Sequence, residues 1–187
     1  MLKKKEKLGK QKIIQDIIHK ETDNFNVAFK FEKLNINGQL EKEGLLNSGT
    51  RIDVIQQKFV SMFDDYIRLT IQRLVDTFSN LNLVLDKSEI SMCKSLLESK
   101  STGLIDNFIK DISLEIQKEK RSTSGIEMFE RTTRGRADRY IESFVLQESN
   151  RKDRIEVILQ NRANIISAIS VIISLVAAGV SVIALIK

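Results

Sequence analysis

The sequence predicts a mostly α-helical fold, a helical bundle whose long last helix continues into a single transmembrane helix. Three observations carry this: apolar residues recur every three or four positions, the chain has no proline, and residues 165–186 form a run of 22 without a charge. At about 1.5 Å per residue that run extends roughly 33 Å, enough to cross a hydrocarbon core of about 30 Å. Nearly all of the 30 basic and 25 acidic residues precede it, so the protein divides into a charged domain and an apolar tail. The expected organisation is a basic N-terminal tail over 1–12, a helical domain over 13–136, a juxtamembrane stalk over 137–164 and the span over 165–186.

Ile13, Ile14, Ile17 and Ile18 form one face of a short amphipathic helix expected to stop near Thr22, Asp23 and Asn24. Residues 26–43 are ambiguous. Val27, Phe29 and Phe31 alternate with Lys30 and Glu32, and Asn37-Gly38 suits a type I′ turn, which suggests a small hairpin. A loop or a helix is the alternative, because the return strand is poor in β-formers.

From residue 51 to about 79 the helical signal is strongest. Ile52, Ile55, Phe59, Phe63, Tyr66, Thr70, Leu74 and Phe78 recur on one face, and Thr50 with Asp53 resembles a capping box. Asp86 and Glu89 open a third helix bearing Ile90, Cys93, Leu96 and Leu97, which Ser101-Thr102-Gly103 is expected to interrupt. Leu104, Ile105, Phe108, Ile109, Ile112 and Ile116 face the core of the next. Ser124 with Glu127 starts the last helix, with a bend allowed at Gly135; Ile141, Phe144, Val145, Ile155, Ile158 and Leu159 give it a seam, and Glu148 and Lys152 an i,i+4 pair.

Within the uncharged run the small residues Ser167, Ser170, Ser174, Ala177, Ser181 and Ala184 fall at alternating intervals of three and four. Small side chains let membrane helices approach closely, and serine hydroxyls bond across the contact or back to the preceding turn. This spacing predicts a seam for self-association of the coiled-coil kind, hence a homo-oligomer. A sharper reading has the hydroxyls lining a pore, with Asn161 and Asn164 at its mouth; no charged ring marks a filter. The plainer account is that serines simply bond back to their own helix.

Lys3, Lys4 and Lys5 at the start, Arg131, Arg134, Arg136 and Arg139 in the last helix, and Arg151, Lys152, Arg154 and Arg162 before the span are candidates for contact with anionic lipid headgroups or another anionic partner. For the N-terminal lysines a solvated, frayed end is the favoured account, and for the arginines 131–139 the plainer account is ion pairing with Glu127, Glu130 and Asp138 of the same helix. Nucleic acid is disfavoured, because no aromatic residues interleave with the lysines and acidic residues are nearly as numerous. The basic residues before the span predict a domain facing the cytoplasm, and no apolar run follows the N-terminal lysines as in a signal peptide. A span so close to residue 187 predicts insertion after synthesis, as in tail-anchored proteins.

Chemistry finds no motif. The lone His19 lacks a nucleophile beside it, Asp64 and Asp65 diverge by about 100° on a helix, and no zinc spacing or phosphate-cradling glycine loop is present. One cysteine excludes an intramolecular disulfide, and Cys93 is expected to be buried and inert. No cofactor is expected. The functional expectation is a membrane-anchored, non-enzymatic protein that self-associates through its last helix and acts as a sensor or effector at the cytoplasmic membrane. In one variant assembly permeabilises the bilayer, as a small toxin or anti-phage effector would. The alternative is a tail-anchored adaptor that recruits a cytosolic protein partner.

Overall fold

The computed structural model describes the backbone of residues 2–46, 49–118 and 124–186 and the side chains of 8–46, 50–117 and 125–171. Four helices follow one another: α1 (Leu2–Lys42), α2 (Gly49–Asn80), α3 (Lys87–Lys118) and α4 (Ser124–Ile186). Two compact units result, Met1–Gln147 and Glu148–Lys187, with α4 contributing to both.

In the first unit the core composition fixes the topology. Ile36 and Leu40 near the end of α1 share a cluster with Ile52 and Ile55 at the start of α2, Ile112 and Ile116 at the end of α3, and Ile126 at the start of α4. Ile14 and Ile18 near the other end of α1 join Leu74 and Phe78 late in α2, Ile90 and Cys93 early in α3, and Ile141 and Phe144 further along α4. Each helix therefore reverses the direction of the one before, giving an up-down-up-down bundle.

Phe59 anchors its middle. Its ring lies 4.1 Å from Phe108, 5.2 Å from Phe29, 5.5 Å from Phe63 and 5.6 Å from Phe25, in stacked and edge-on arrangements that suit the aromatic quadrupole. All eight residues of the stripe from Ile52 to Phe78 are buried, as their spacing predicts.

Ion pairs then stitch the flanks. Lys33 of α1 (2.9 Å) and Arg51 of α2 (3.1 Å) meet Glu115 of α3, Lys58 of α2 meets Glu32 of α1 at 2.8 Å, and Arg73 of α2 reaches Glu21 of α1. Lys10 of α1 donates to the Val84 carbonyl at 2.9 Å, close to Glu89. Most of these side chains are partly buried, and such pairs favour one helix arrangement over others more than they add to stability.

Helix ends follow local chemistry. The Asp86–Glu89 box forms reciprocally: the Asp86 N–H donates to Glu89 at 2.7 Å and the Glu89 N–H to Asp86 at 2.8 Å. Helix α1 closes with Leu45 N–H on the Leu40 carbonyl (2.8 Å), Gly44 N–H on Glu41 (3.1 Å) and Gly44 at φ 72°. Gly44→Ala forces a methyl into left-handed backbone, and we expect it to lower stability by about 1 kcal/mol in urea titrations.

Four sequence expectations are corrected. No strand occurs among the described residues, and 26–43 belongs to α1. The alternation of Val27, Phe29 and Phe31 arises because α1 is apolar on two sides: Phe29 packs on the core with Phe25, whereas Val27 and Phe31 are exposed. Asn37, inside α1, accepts a 2.9 Å hydrogen bond from Arg51 of α2 instead of turning a hairpin. A Cβ at Gly38 would meet nothing within 4 Å, so Gly38→Ala should raise stability by about 0.5–1 kcal/mol. In a type I′ turn the same change would be destabilising, so the sign of the shift in melting temperature checks the correction.

Nor does α1 stop at Thr22. That side chain is buried and its hydroxyl donates to the Ile18 carbonyl at 2.7 Å, so the Tyr66 hydroxyl, 3.0 Å away, donates to Thr22. Burial raises the Tyr66 phenol above its ordinary pKa, and the hydrogen bond with Thr22 partly offsets this. Ser101-Thr102-Gly103 does not interrupt α3, because buried Leu97, Ser101, Leu104 and Ile105 keep one face against the core and outweigh the propensity cost of about 1 kcal/mol at Gly103. Finally, Glu148 is 3.5 Å from Arg151 and Lys152 is 3.3 Å from Glu156, so the expected Glu148–Lys152 pair is replaced by two others.

Candidate membrane-contacting site

The second unit is the stretch of α4 from Glu148. Its first residues pair locally, as above; from Glu156 to Val171 every residue is exposed. That exposure includes large apolar side chains all round the helix: Val157, Ile158 and Leu159, then Ile165, Ile166, Ile169 and Val171, all half or more open to their surroundings. Polar Gln160, Asn161, Arg162 and Asn164 separate the two apolar groups, and from Ile165 to Val171 the exposed surface carries no charge, the kind of surface that other helices or lipid cover.

Of the small-residue seam, Ser167 and Ser170 are placed, both on the exposed surface of α4. Ser174, Ala177, Ser181 and Ala184 lie outside the described side chains. Asn164 and Asn161 are exposed one turn and more before Ser167, but they sit about 60° and about 120° round the helix from it. They flank the seam and do not continue it. Among the described residues no helix is long and apolar enough to cross a membrane; most of the 165–186 run lies outside the described side chains.

The cationic candidates separate by burial and partner. Arg136 binds Asp64 of α2 at 2.7 Å, and Arg134 binds Glu130 at 2.9 Å and also Asp106 of α3, so both hold α4 to the bundle. Arg139 donates to the Gly135 carbonyl at 3.2 Å, and Arg131 is exposed. In the second unit Arg151 and Lys152 pair with acids of their own helix, whereas Arg154 and Arg162 are exposed. Lys3, Lys4 and Lys5 lie outside the described side chains. The sequence offered these arginines as contacts for an anionic partner, with pairs inside their own helix as the plainer account; the Arg134–Glu130 pair is of that plainer kind, whereas Asp64 and Asp106 were not foreseen, because only the packing brings them near.

It also missed a groove between α2 and α4 of about 610 Å³, lined by Asp53, Gln56, Gln57, Val60, Ser61, Asp64, Phe129 and Arg136. The signal was present as polar residues at 53, 56, 57, 61 and 64 beside the apolar stripe of α2. Among the described residues one Asp64 oxygen there is buried without a hydrogen-bond partner while the other holds Arg136.

His19 is exposed, Cys93 is fully buried, and Asp65 turns away from Asp64 to pair with Arg68 at 2.8 Å. Among the described residues no group of three or more His, Cys, Asp or Glu is disposed to hold a metal ion. No protein-family model matches the chain, and no curated protein or solved structure matches it.

Proposed function

We propose that this chain is a membrane-anchored, non-enzymatic protein whose helical domain faces the cytoplasm and whose C-terminal helix anchors it and gathers copies together. It acts as a sensor or effector at the membrane, and in the permeabilising variant, of the toxin or anti-phage effector type, assembly opens the bilayer. The observation that carries the reading is the exposure of Ile165, Ile166, Ile169 and Val171 on a helix whose bundle already has a closed core of its own. Covering half-exposed side chains of this size gains roughly 1 kcal/mol each. Lipid and neighbouring copies both supply that cover. The lack of charge from 165 to 186 supports lipid, and the Ser and Ala seam supports copies.

A second reading is a single-pass adaptor that recruits a cytosolic protein partner, favoured by the groove between α2 and α4, where one Asp64 oxygen is unpartnered among the described residues. The seam separates the two. Replacing Ser167, Ser170, Ser174 and Ser181 together by Leu removes the close approach of helices but keeps the segment apolar. For the permeabilising assembly, dye release from liposomes carrying purified protein should fall to background in this variant. Equal release by the variant and the parent protein would remove the seam from the mechanism. No release by either, with native partners added, would leave the adaptor as the working reading.

A further inference from the structure

We infer that the outward face of α1 is a contact for a second copy of this chain, packed antiparallel across a two-fold axis near residues 30 and 31. Val27, Phe31 and Leu34 are 58%, 65% and 59% exposed and adjoin one another at helical spacing, so they form a patch rather than scattered single side chains. On an α-helix the three lie within about 60° of one another, on the side opposite Phe25, Phe29, Ile36 and Leu40, which face the core. Helix α1 thus carries two apolar stripes, and its own bundle covers one.

The charges at the ends of the outer stripe point to what covers it. Lys20 and Glu41 are exposed, lie on the same side of α1, and form no ion pair among the described residues. Residues 20 and 41 are equidistant from the midpoint between 30 and 31, and so are 27 and 34. Antiparallel packing of two copies therefore sets Val27 against Leu34 and Lys20 against Glu41, twice each, with the two Phe31 rings beside the axis. A two-fold contact requires such a self-complementary patch. Parallel packing would oppose Lys20 to Lys20 and Glu41 to Glu41, which like-charge repulsion disfavours.

This pair differs from the assembly proposed for the C-terminal helix. Phe144 packs beside Ile14 and Ile18, near the N-terminal end of α1, so antiparallel α1 helices place the two Phe144 ends of the bundles far apart. The contact stands whether or not the chain enters a membrane.

Cross-linking of the full chain in detergent tests it. Two single variants, Val27→Cys and Leu34→Cys, are oxidised separately and as a mixture; the native Cys93 is fully buried and stays in place. Only the mixture should give a covalent dimer, because residue 27 faces residue 34 of the second copy, whereas two copies of residue 27 lie about 10 Å apart along the helices, beyond disulfide reach. Adding Lys20→Glu to both should cut the yield about tenfold, and adding Lys20→Glu with Glu41→Lys should restore it. A covalent dimer from either variant alone, no dimer from the mixture, or no recovery on charge exchange would each overturn the inference.

Discussion

Phe59→Ala is expected to lower the unfolding free energy of the bundle by about 3–5 kcal/mol, among the largest effects of any single truncation in this chain. Phe59 is 1% exposed and touches aromatic rings from all three other helices, Phe25 and Phe29 of α1, Phe108 of α3 and Phe129 of α4. Removing the ring loses its transfer free energy and leaves a cavity that neighbours on four rigid helices cannot close. Domains of this size are stable by only about 5–15 kcal/mol, so the variant keeps a fraction of its stability. Urea titration followed by circular dichroism checks this, with the midpoint falling and the slope unchanged. Leu146→Ala serves as control: that side chain is 64% exposed, and its loss should shift stability by no more than about 0.5 kcal/mol.

The second large effect concerns the apolar segment. Ser174 and Ala177 lie near the middle of the uncharged run, where each arginine opposes insertion of a helix by about 2.5–3.5 kcal/mol. Together, Ser174→Arg and Ala177→Arg should cost about 5–7 kcal/mol of insertion free energy, enough to move the protein from the membrane fraction to the supernatant. The bundle has its own core within Met1–Gln147, so its urea midpoint should not move. Retention of the double-arginine variant in floated liposomes would show that something other than insertion of 165–186 holds the protein there.

How much of this was legible in the sequence depended on whether each helix has one apolar face or two. Helix α2 has one, and its stripe from Ile52 to Phe78 is buried residue for residue. The Asp86–Glu89 box was legible because capping is a local transaction between residues three apart. Helix α1 was not legible as one element: with apolar residues on opposite sides, its period resembles that of a strand between Val27 and Phe31. Gly38, Gly103 and Thr22 carry turn or breaker signals that weigh about 1 kcal/mol or less, and burial of neighbours such as Ile36, Leu104 and Phe25 overrides them.

At the candidate site, the spacing of the small Ser and Ala residues from 167 to 184 is a periodic pattern, and sequence displays it directly. The roles of Arg134 and Arg136 are not periodic. Their acids, Asp106 and Asp64, lie on other helices and become neighbours only when the bundle forms. For the same reason the groove beside Asp64 could not be read from the chain, although the polar residues that line it on α2 could.

Flotation after alkaline extraction separates the proposed insertion through 165–186 from mere surface attachment. The full chain is synthesised with liposomes present, washed with carbonate at about pH 11 to strip surface-bound protein, and centrifuged through a density gradient. Insertion predicts that the parent protein floats with the lipid and the double-arginine variant stays at the bottom. Recovery of folded parent protein at the bottom, with the helical bundle intact by circular dichroism, would contradict it.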